Sequence, residues 1–559
     1  MRIAMLNRPG FFLVPFAILL LTALPGASLY AQEEAPEPPE ETEIILPPEF
    51  FDFREAGPQE VEALLPELPP IEAPGFSVPL PEPTTDEGET VAVSIPEPEE
   101  VFREEAAPGG SSIFTTGTLG AGSVNYILGE LALYKIGEEP RFRFEYLHRG
   151  LDGFAFNDPG TGHFHRLDRL AGWVAAESES GTSGELSATY REREIGFQGR
   201  PSFYSSEFRT IEGELQFRYP LADRVAAYAE GELGYTNRLY TVKDPTLEPP
   251  ETGESRVRPR LGVALDFNRF GLDLYGRYGL RDLGGTPVST VQEFAGGAEA
   301  SYELGEQWTL GAGMEVLREI DRSFLFPFFL SLGLDLEDRF SLELAGGMEY
   351  TVPTLGELWQ VYPFLAPGST GEWELPSQEA WYGEGSLGWR PPFTGLEFEL
   401  QGRYEERFRG MKIKPYEESV DLLPFDTESR EQLTGEFNTL WRPNARVELT
   451  AGLRSLFLDR HFLEPRHEGT VTGDYLTPGR VWGARFDLAV PFYDELLLPQ
   501  WNMEAYVRPF EAVEVRLGVD DILSPLLEDG RGREANEPTE EYPFVEPGFT
   551  VRLEARITL

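Results

Sequence analysis

Two histidines separated by one residue are the strongest candidates for metal chemistry in this 559-residue chain. His163 and His165, followed by Asp168, place two imidazoles and a carboxylate close together, and zinc is bound by such ligands. The chain has five histidines, and none of the others is spaced to complete a ligand set. We therefore expect no metal site, and we keep His163 and His165 as weak candidates in a polar loop.

Nucleophilic chemistry finds little support in the sequence. The chain has no cysteine, which excludes a thiol nucleophile, a thiolate metal site and disulfides. A serine hydrolase needs a serine held beside a histidine, and no Gly-x-Ser-x-Gly motif is present. We expect neither enzymatic activity nor a cofactor.

Charged residues alternate with apolar residues in many short segments. At the C-terminus, Leu553 and Ile557 alternate with Arg552, Glu554 and Arg556. A period of two places the two sets on opposite faces of a strand. If the apolar face meets lipid, the charged face lines a lumen. The residues expected to face this lumen are Arg143, Arg218, Glu397, Glu399, Arg403, Glu448, Glu514, Arg516, Arg552, Glu554 and Arg556.

Some twenty alternating segments follow one another between residues 111 and 559, with hardly a helical pattern among them. A soluble sandwich explains any one such strand, but a membrane barrel with an apolar outside and a polar lumen explains all of them together. The mean hydropathy of −0.31 excludes a bundle of membrane helices and permits a barrel. The pattern predicts an all-β fold, a transmembrane antiparallel β-barrel.

The spacing of the segments predicts about 22 strands. We count 21 candidates, whereas a single-chain bacterial barrel has an even number. The missing strand is expected at 493–500, where Pro499 obscures the pattern. Merging the first candidate, 113–121, with its neighbour gives the alternative of 20 strands. Short connections are expected at 221–223, 268–269, 305–306, 337–339, 391–393 and 443–444, and long ones at 152–168, 197–206, 239–255, 353–378, 410–430, 462–479 and 524–544.

The part of the chain that precedes these segments has a different composition. Residues 1–31 combine a basic start, an apolar run and small residues, which predicts a cleaved signal peptide. Residues 32–110 hold 22 acidic residues, two basic residues and 16 prolines. Such a segment cannot bury enough apolar surface to fold alone, so we expect a disordered acidic proline-rich arm in the periplasm. The net charge of −49 argues against nucleic acid as a partner.

The C-terminal part of the chain carries two motifs of a known family. Residues 515–523 read Val-Arg-Leu-Gly-Val-Asp-Asp-Ile-Leu, and residues 542–551 read Tyr-Pro-Phe-Val-Glu-Pro-Gly-Phe-Thr-Val. Together they resemble the closing strands of a TonB-dependent receptor barrel, and residues 475–480 resemble a second copy of the lead into a strand. The resemblance implies 22 strands and assembly by the barrel-assembly machinery. The chain departs from the family at its last residue, Leu559, and in lacking a recognisable plug domain before the barrel.

One segment of the arm is similar to the box that such receptors offer to TonB. It consists of Glu89, Thr90, Val91, Ala92 and Val93. A segment of this kind binds by adding a strand to a periplasmic partner. The resemblance thus implies a periplasmic energy-coupling or plug protein, while a plain linker explains the same residues.

Three functions remain open from the sequence. The first is an outer-membrane barrel for solute or nutrient passage, similar to a TonB-dependent receptor but without its own plug. The second is a passive porin-like channel, and the third is a structural or surface-interaction protein. All three place the chain in the outer membrane, in contact with lipid, with its arm in the periplasm.

Overall fold

The structure is a computed structural model that describes residues 112–559, except 138, 155–156, 201, 244–245, 247–251, 285–288, 321–322, 337–338, 366–376, 393–394, 414–421, 423–424, 460–463, 494–498 and 527–546. The expected signal peptide, the acidic arm and the segment 89–93 lie outside the described residues, as do 542–546 of the family motif.

The described residues form strands joined by turns and loops. The strands are β1 (Ser112–Gly122), β2 (Ile127–Ile136), β3 (Arg141–Asp152), β4 (Phe164–Glu177), β5 (Ser183–Gly196), β6 (Phe203–Ala222), β7 (Val225–Val242), β8 (Thr252–Asp266), β9 (Phe270–Gly284), β10 (Ser289–Leu304), β11 (Trp308–Glu319), β12 (Phe324–Leu325), β13 (Phe328–Leu336), β14 (Phe340–Thr351), β15 (Gln378–Trp389), β16 (Leu396–Ile413), β17 (Phe425–Asn444), β18 (Val447–Leu456), β19 (His467–Leu476), β20 (Trp482–Phe492), β21 (Gln500–Phe510), β22 (Val513–Asp520) and β23 (Thr550–Thr558). A helix, α1 (Leu355–Val361), lies between β14 and β15.

The strands form one closed antiparallel barrel. Each strand pairs with the next along the chain, except that β12 and β13 both pair with β11, and β1 pairs with β23 from Thr116 opposite Thr558 to Gly122 opposite Arg552. Both β12 and β13 pair with β11 in one register, so they are a single barrel strand interrupted beside Pro327, which has no amide hydrogen to donate. The barrel therefore has 22 strands, which confirms the predicted number, and the alternative of 20 is wrong.

The position predicted for the missing strand was wrong. Tyr493 and Pro499 are not in a strand, and they belong to the connection between β20 and β21. The strand that the count missed is β19, inside the segment 462–479 that was expected to be a long connection. The expected motif at 475–480 ends β19 and turns, through a short 3-10 helix at Pro478–Arg480, into β20.

The two ends of the barrel differ in their connections. At the end that carries both β1 Ser112 and the C-terminus, successive strands are joined by turns such as 223–224, 305–307 and 445–446. Thr115 and Leu559 exchange backbone hydrogen bonds of 3.0 and 2.8 Å at this end. The opposite end carries long connections, including 352–377 and 521–549. The predicted short connections agree closely with the turns at the first end.

The outer face of the wall is apolar. Leu215, Phe217 and Tyr219 of β6 are exposed large side chains at every second position, and other strands repeat the pattern. Four exposed tryptophans lie close to the short-turn end of their strands: Trp308, Trp389, Trp441 and Trp482. Tryptophan side chains favour the boundary between lipid and water, so this arrangement is typical of a lipid-facing wall. Among the described residues, no helix is long and apolar enough to span a membrane.

Candidate functional site

Ion pairs cover the polar face of the strands, which is opposite the exposed apolar face. Arg403 of β16 lies 2.9 Å from Glu349 of β14, 2.7 Å from Glu384 of β15 and 3.4 Å from Glu405. A guanidinium presents five donors in a planar fork and can therefore bind several carboxylates at once. One arginine thus links three neighbouring strands of the wall.

A second cluster joins the last strands. Arg516 of β22 lies 2.5 Å from Glu514 and 3.4 Å from Glu504 of β21. Arg552 of β23 lies 3.3 Å from the same Glu504 and 3.0 Å from Glu554. The hydroxyl of Tyr126, between β1 and β2, donates to Glu554 at 2.9 Å. These contacts cross the seam where β1 closes the barrel on β23.

The other residues predicted to line the lumen are spread around the wall. Arg143 pairs with Glu145, Glu397 with Arg390, and Glu448 with Arg442, while Glu399 accepts a hydrogen bond from Gln401. Arg218 and Arg556 form no ion pair with another described residue. The predicted set therefore does not converge on one point; it is a wall of charges, with two clusters around Arg403 and Arg552.

The feature that sequence reasoning missed is a helix inside the barrel. Residues 352–365, here called the inner loop, contain α1. Thr354 caps the helix by accepting from the amide of Glu357 at 3.2 Å, and the Glu357 carboxylate accepts from the Thr354 amide at 3.0 Å. This reciprocal capping box is a signature of a helix start that the sequence does contain. Leu355 and Trp359, four positions apart, bury one face of the helix.

The inner loop belongs to a hydrophobic core that lies within the barrel, here called the interior core. Its buried members are Ile195, Phe197, Phe203, Phe208, Leu283, Leu355, Trp359, Phe364, Leu365, Ile413 and Leu422. These come from β5, β6, β9 and β16 as well as from loops. Since β10 to β15 separate β9 from β16 along the wall, the side chains of these strands share a core only by meeting inside the barrel.

Burial holds the inner loop firmly in the interior core. Four of its large side chains, Leu355, Trp359, Phe364 and Leu365, are almost completely buried. Each such burial contributes about 1.5 to 3 kcal/mol. Tyr362 packs against the same core, and burial raises the pKa of its hydroxyl to about 12, with the nearby Glu464 carboxylate acting in the same direction. Spontaneous release of the whole loop would therefore be rare.

Arg238 of β7 anchors the C-terminal part of the inner loop. Its guanidinium is completely buried and donates to the carbonyl oxygens of Leu365 at 2.6 Å and Pro363 at 2.8 Å. The cation also lies 4.7 Å from the ring centre of Phe208 and 5.4 Å from that of Trp359. Carbonyl dipoles and aromatic faces both stabilise a desolvated cation.

Glu254 of β8 anchors the N-terminal part of the inner loop. Its carboxylate accepts from the amide of Leu355, the first residue of α1, at 2.5 Å. The helix dipole favours a negative charge at this end. The other carboxylate oxygen lies 3.0 Å from Nε of Arg281 in β9, and both side chains are buried. The inner loop is thus hydrogen-bonded to β7 and β8, and Glu254 in turn pairs with Arg281 of β9.

The exposed side of α1 contacts a further strand. Arg191 of β5 donates to the side-chain oxygen of Gln360 at 2.8 Å, and Arg193 donates to the carbonyl oxygen of the same residue at 3.1 Å. The inner loop therefore contacts the polar face of the wall from β5 to β9.

The histidines predicted as weak metal candidates lie beside Phe154. Its ring centre is 5.9 Å from that of His163 and 5.5 Å from that of His165. His163 also contacts the Thr161 hydroxyl at 3.0 Å, and burial lowers the pKa of its imidazole. Within the described part of the chain, no three histidine or carboxylate side chains are grouped to hold a metal ion. Asp168 instead lies 2.8 Å from His148.

Comparison with known proteins gives matches among solved structures. No protein-family model and no curated protein matches the sequence. The copper transporter OprC superposes with a TM-score of 0.61 at 14% identity, covering 81% of each chain. The FrpB iron transporter from Neisseria meningitidis (F3-3 variant) gives 0.61 at 10% identity, covering 80% of this chain and 82% of the other. The siderophore receptor PiuA from Acinetobacter baumannii gives 0.59 at 11% identity, covering 80% and 82%.

The TM-scores establish a likeness of fold over most of the chain, and at such low identity they establish the fold alone. This likeness agrees with the independent count of 22 strands and with the two motifs near the C-terminus. The chain therefore has the 22-stranded β-barrel fold of the TonB-dependent receptors.

Proposed function

We propose that this chain is an outer-membrane barrel through which solutes or nutrients pass. The observation that carries the proposal is the wall itself, which is closed, apolar on one face and lined with ion pairs on the other. Lipid requires a closed wall with an apolar outer face, and a water-filled path requires a charged inner face. The copper transporter, iron transporter and siderophore receptor that share this fold support nutrients as the class of cargo.

The proposal includes the orientation of the chain. The short turns, the start of β1 and the C-terminus would face the periplasm, and the long connections would face outwards, as in other outer-membrane barrels. The predicted signal peptide would deliver the chain to the barrel-assembly machinery, and the arm would remain in the periplasm without forming a receptor-type plug. The residues predicted to line the lumen would then form the wall of the solute path.

Conductance across planar bilayers tests this function. The full mature chain and a chain lacking residues 32–110 are each inserted, and we expect discrete conductance steps from at least one of them. Conductance only after removal of the arm would identify the arm as a plug. If neither chain conducts ions nor transports solutes into liposomes, the proposed function is wrong.

A passive porin-like channel is the second candidate, and the inner loop favours it. A helix held inside the wall by buried contacts narrows the path permanently and so limits the size of solute without any energy input. Steady and equal conductance with and without the arm supports this candidate over a gated receptor.

The proposed periplasmic partner depends on the segment Glu89, Thr90, Val91, Ala92 and Val93. We expect that deleting residues 89–94 lowers uptake and abolishes binding to the energy-coupling protein. A chain with the same segment in scrambled order is the control, since it keeps the length and charge of the arm. Equal uptake by wild type and deletion would exclude this role.

A further inference from the structure

We propose that the inner loop is a fixed constriction that sets the largest solute the barrel admits, and that Arg238 is the wall residue that positions it. This inference rests on the proposed function, because a size limit has meaning only if solutes pass. It differs from gating by a plug, since the obstruction is built from a connection between two barrel strands.

The first support is the close approach of α1 to the wall. A Cβ atom added at Gly356 would lie 2.9 Å from the hydroxyl of Thr236 in β7 and 3.8 Å from Thr210 in β6. Both threonines are buried although they lie on the polar face of the barrel. The helix therefore seals this part of the wall and leaves no gap for solvent between them.

The second support is the mutual dependence of Arg238 and the inner loop. Within the described residues no carboxylate pairs with Arg238, and its strongest acceptors are the Leu365 and Pro363 carbonyls of the loop. If Arg238 were removed, the carbonyl oxygens of Leu365 and Pro363 would lose these donors while the loop stays packed, and Trp359 would lose its contact with the cation. A buried carbonyl without a donor is unfavourable, and the seated loop in turn supplies the acceptors that offset the burial of Arg238, so the loop and Arg238 stabilise each other.

The third support is that the inner loop also packs against residues at the end of β16, which is far from β5–β9 along the wall. Ile413 at the end of β16 and Leu422 in the next connection belong to the interior core together with Leu355 and Trp359. A register shift between Arg407 and Gly410 marks a bulge in β16, and bulges bend a strand. Beyond this bulge, Ile413 packs in the interior core. A loop held from both β5–β9 and β16 is suited to a permanent obstruction.

Polymer exclusion in planar bilayers tests the constriction. Arg238→Ala removes the wall anchor, and Trp359→Ala removes the largest side chain of the loop from the interior core. We expect both to raise single-channel conductance about twofold or more and to admit larger polyethylene glycols, because local release of the loop widens the path. Arg224→Ala is the matched control, since it deletes an exposed arginine in the short turn between β6 and β7, at the opposite end of the barrel from the loop. It should leave the exclusion limit unchanged.

A labelling experiment reports whether the loop covers the wall, and it does not depend on a conductance measurement. The chain has no cysteine, so Thr236→Cys gives a single thiol beneath α1. We expect slow reaction with a maleimide in this variant and reaction at least about tenfold faster when Arg238→Ala or Trp359→Ala is added, since the thiol becomes accessible by local opening. Folding of each variant is checked by its heat-modifiable migration on gels.

The outcomes separate the two proposals. An exclusion limit that stays the same in both loop variants overturns the constriction, even if the wild type conducts. Equally fast labelling of the Thr236→Cys thiol with and without Arg238 overturns the positioning role. If no variant conducts ions, including one with the inner loop shortened, the proposed function is wrong. The labelling rates still test the positioning role of Arg238 in that case.

Discussion

At the scale of single residues, the barrel relies on arginine. Only four of the 47 basic residues in the chain are lysine. Arg403 and Arg552 each contact three carboxylates, which a compact ammonium on a flexible stem does less well. Most of these pairs are partly exposed, and such pairs contribute little to stability one by one. The pairs that matter energetically are therefore the buried ones near the inner loop.

Glu254 gives the clearest residue-scale prediction. We expect Glu254→Gln to destabilise the chain by about 3 kcal/mol, because it leaves Arg281 as a buried charge without its carboxylate. The measurement is the urea midpoint of the folded barrel in detergent. Adding Arg281→Met should restore much of the loss, because no unpaired charge then remains.

The control for this variant is Glu448→Gln. It breaks an ion pair with Arg442 in which both side chains are 42% exposed. Its cost should stay below about 1 kcal/mol. A loss as large as that of Glu254→Gln would contradict the distinction between buried and exposed pairs.

At the scale of elements, strands with bulky apolar residues were predictable and the weakly marked strand was not. In the second half of β6 and in β23 most of the alternating positions are filled by Val, Leu, Ile, Phe or Tyr, so the period of two is plain. In β19 the apolar face consists of Gly469, Val471, Gly473 and Tyr475. The two glycines and two threonines of this segment are as typical of a loop as of a strand. Pairing with β18 and β20 makes this segment a strand, and such pairing cannot be predicted from the segment alone.

The inner loop was beyond prediction for a different reason. The capping box at Thr354 and Glu357 indicates a short helix, but a helix as short as α1 is not stable alone. Its position comes from Arg238 and Glu254, which lie far earlier in the chain. Strand alternation assigns these residues to the polar face but does not say which connection will meet them. The alternating charged face of the strands was predictable from the sequence, and the helix packed against it was not.

At the scale of the whole molecule, closure decides whether the barrel exists. An open sheet of this size would leave two unpaired edges, and lipid cannot satisfy the backbone groups of an edge strand. Here β1 must pair with β23, the strand farthest from it in sequence. The seam is reinforced inside by Tyr126, which donates to Glu554 although the two residues lie near opposite ends of the barrel sequence.

The seam also depends on a close backbone approach at Gly122, the last residue of β1. A Cβ atom there would lie 2.2 Å from the carbonyl oxygen of Val551 and 3.0 Å from Cα of Arg552. Backbone atoms cannot move aside as a flexible side chain can. We expect Gly122→Ala to separate β1 from β23 at the long-loop end and to cost about 1 to 3 kcal/mol, as overpacking does.

Gly129→Ala in β2 is the matched control, because a Cβ atom at that position meets nothing within 4 Å. Alanine also restricts the unfolded chain more than glycine, so this control should be neutral or slightly stabilising. The stability of both variants is measured by the urea midpoint, and their folding by the fraction of chain that migrates as a heat-modifiable barrel. Because the two substitutions are chemically identical, a difference between them reports the seam rather than the loss of glycine. Equal stability of the two variants would mean that β1 and β23 do not approach as closely as described.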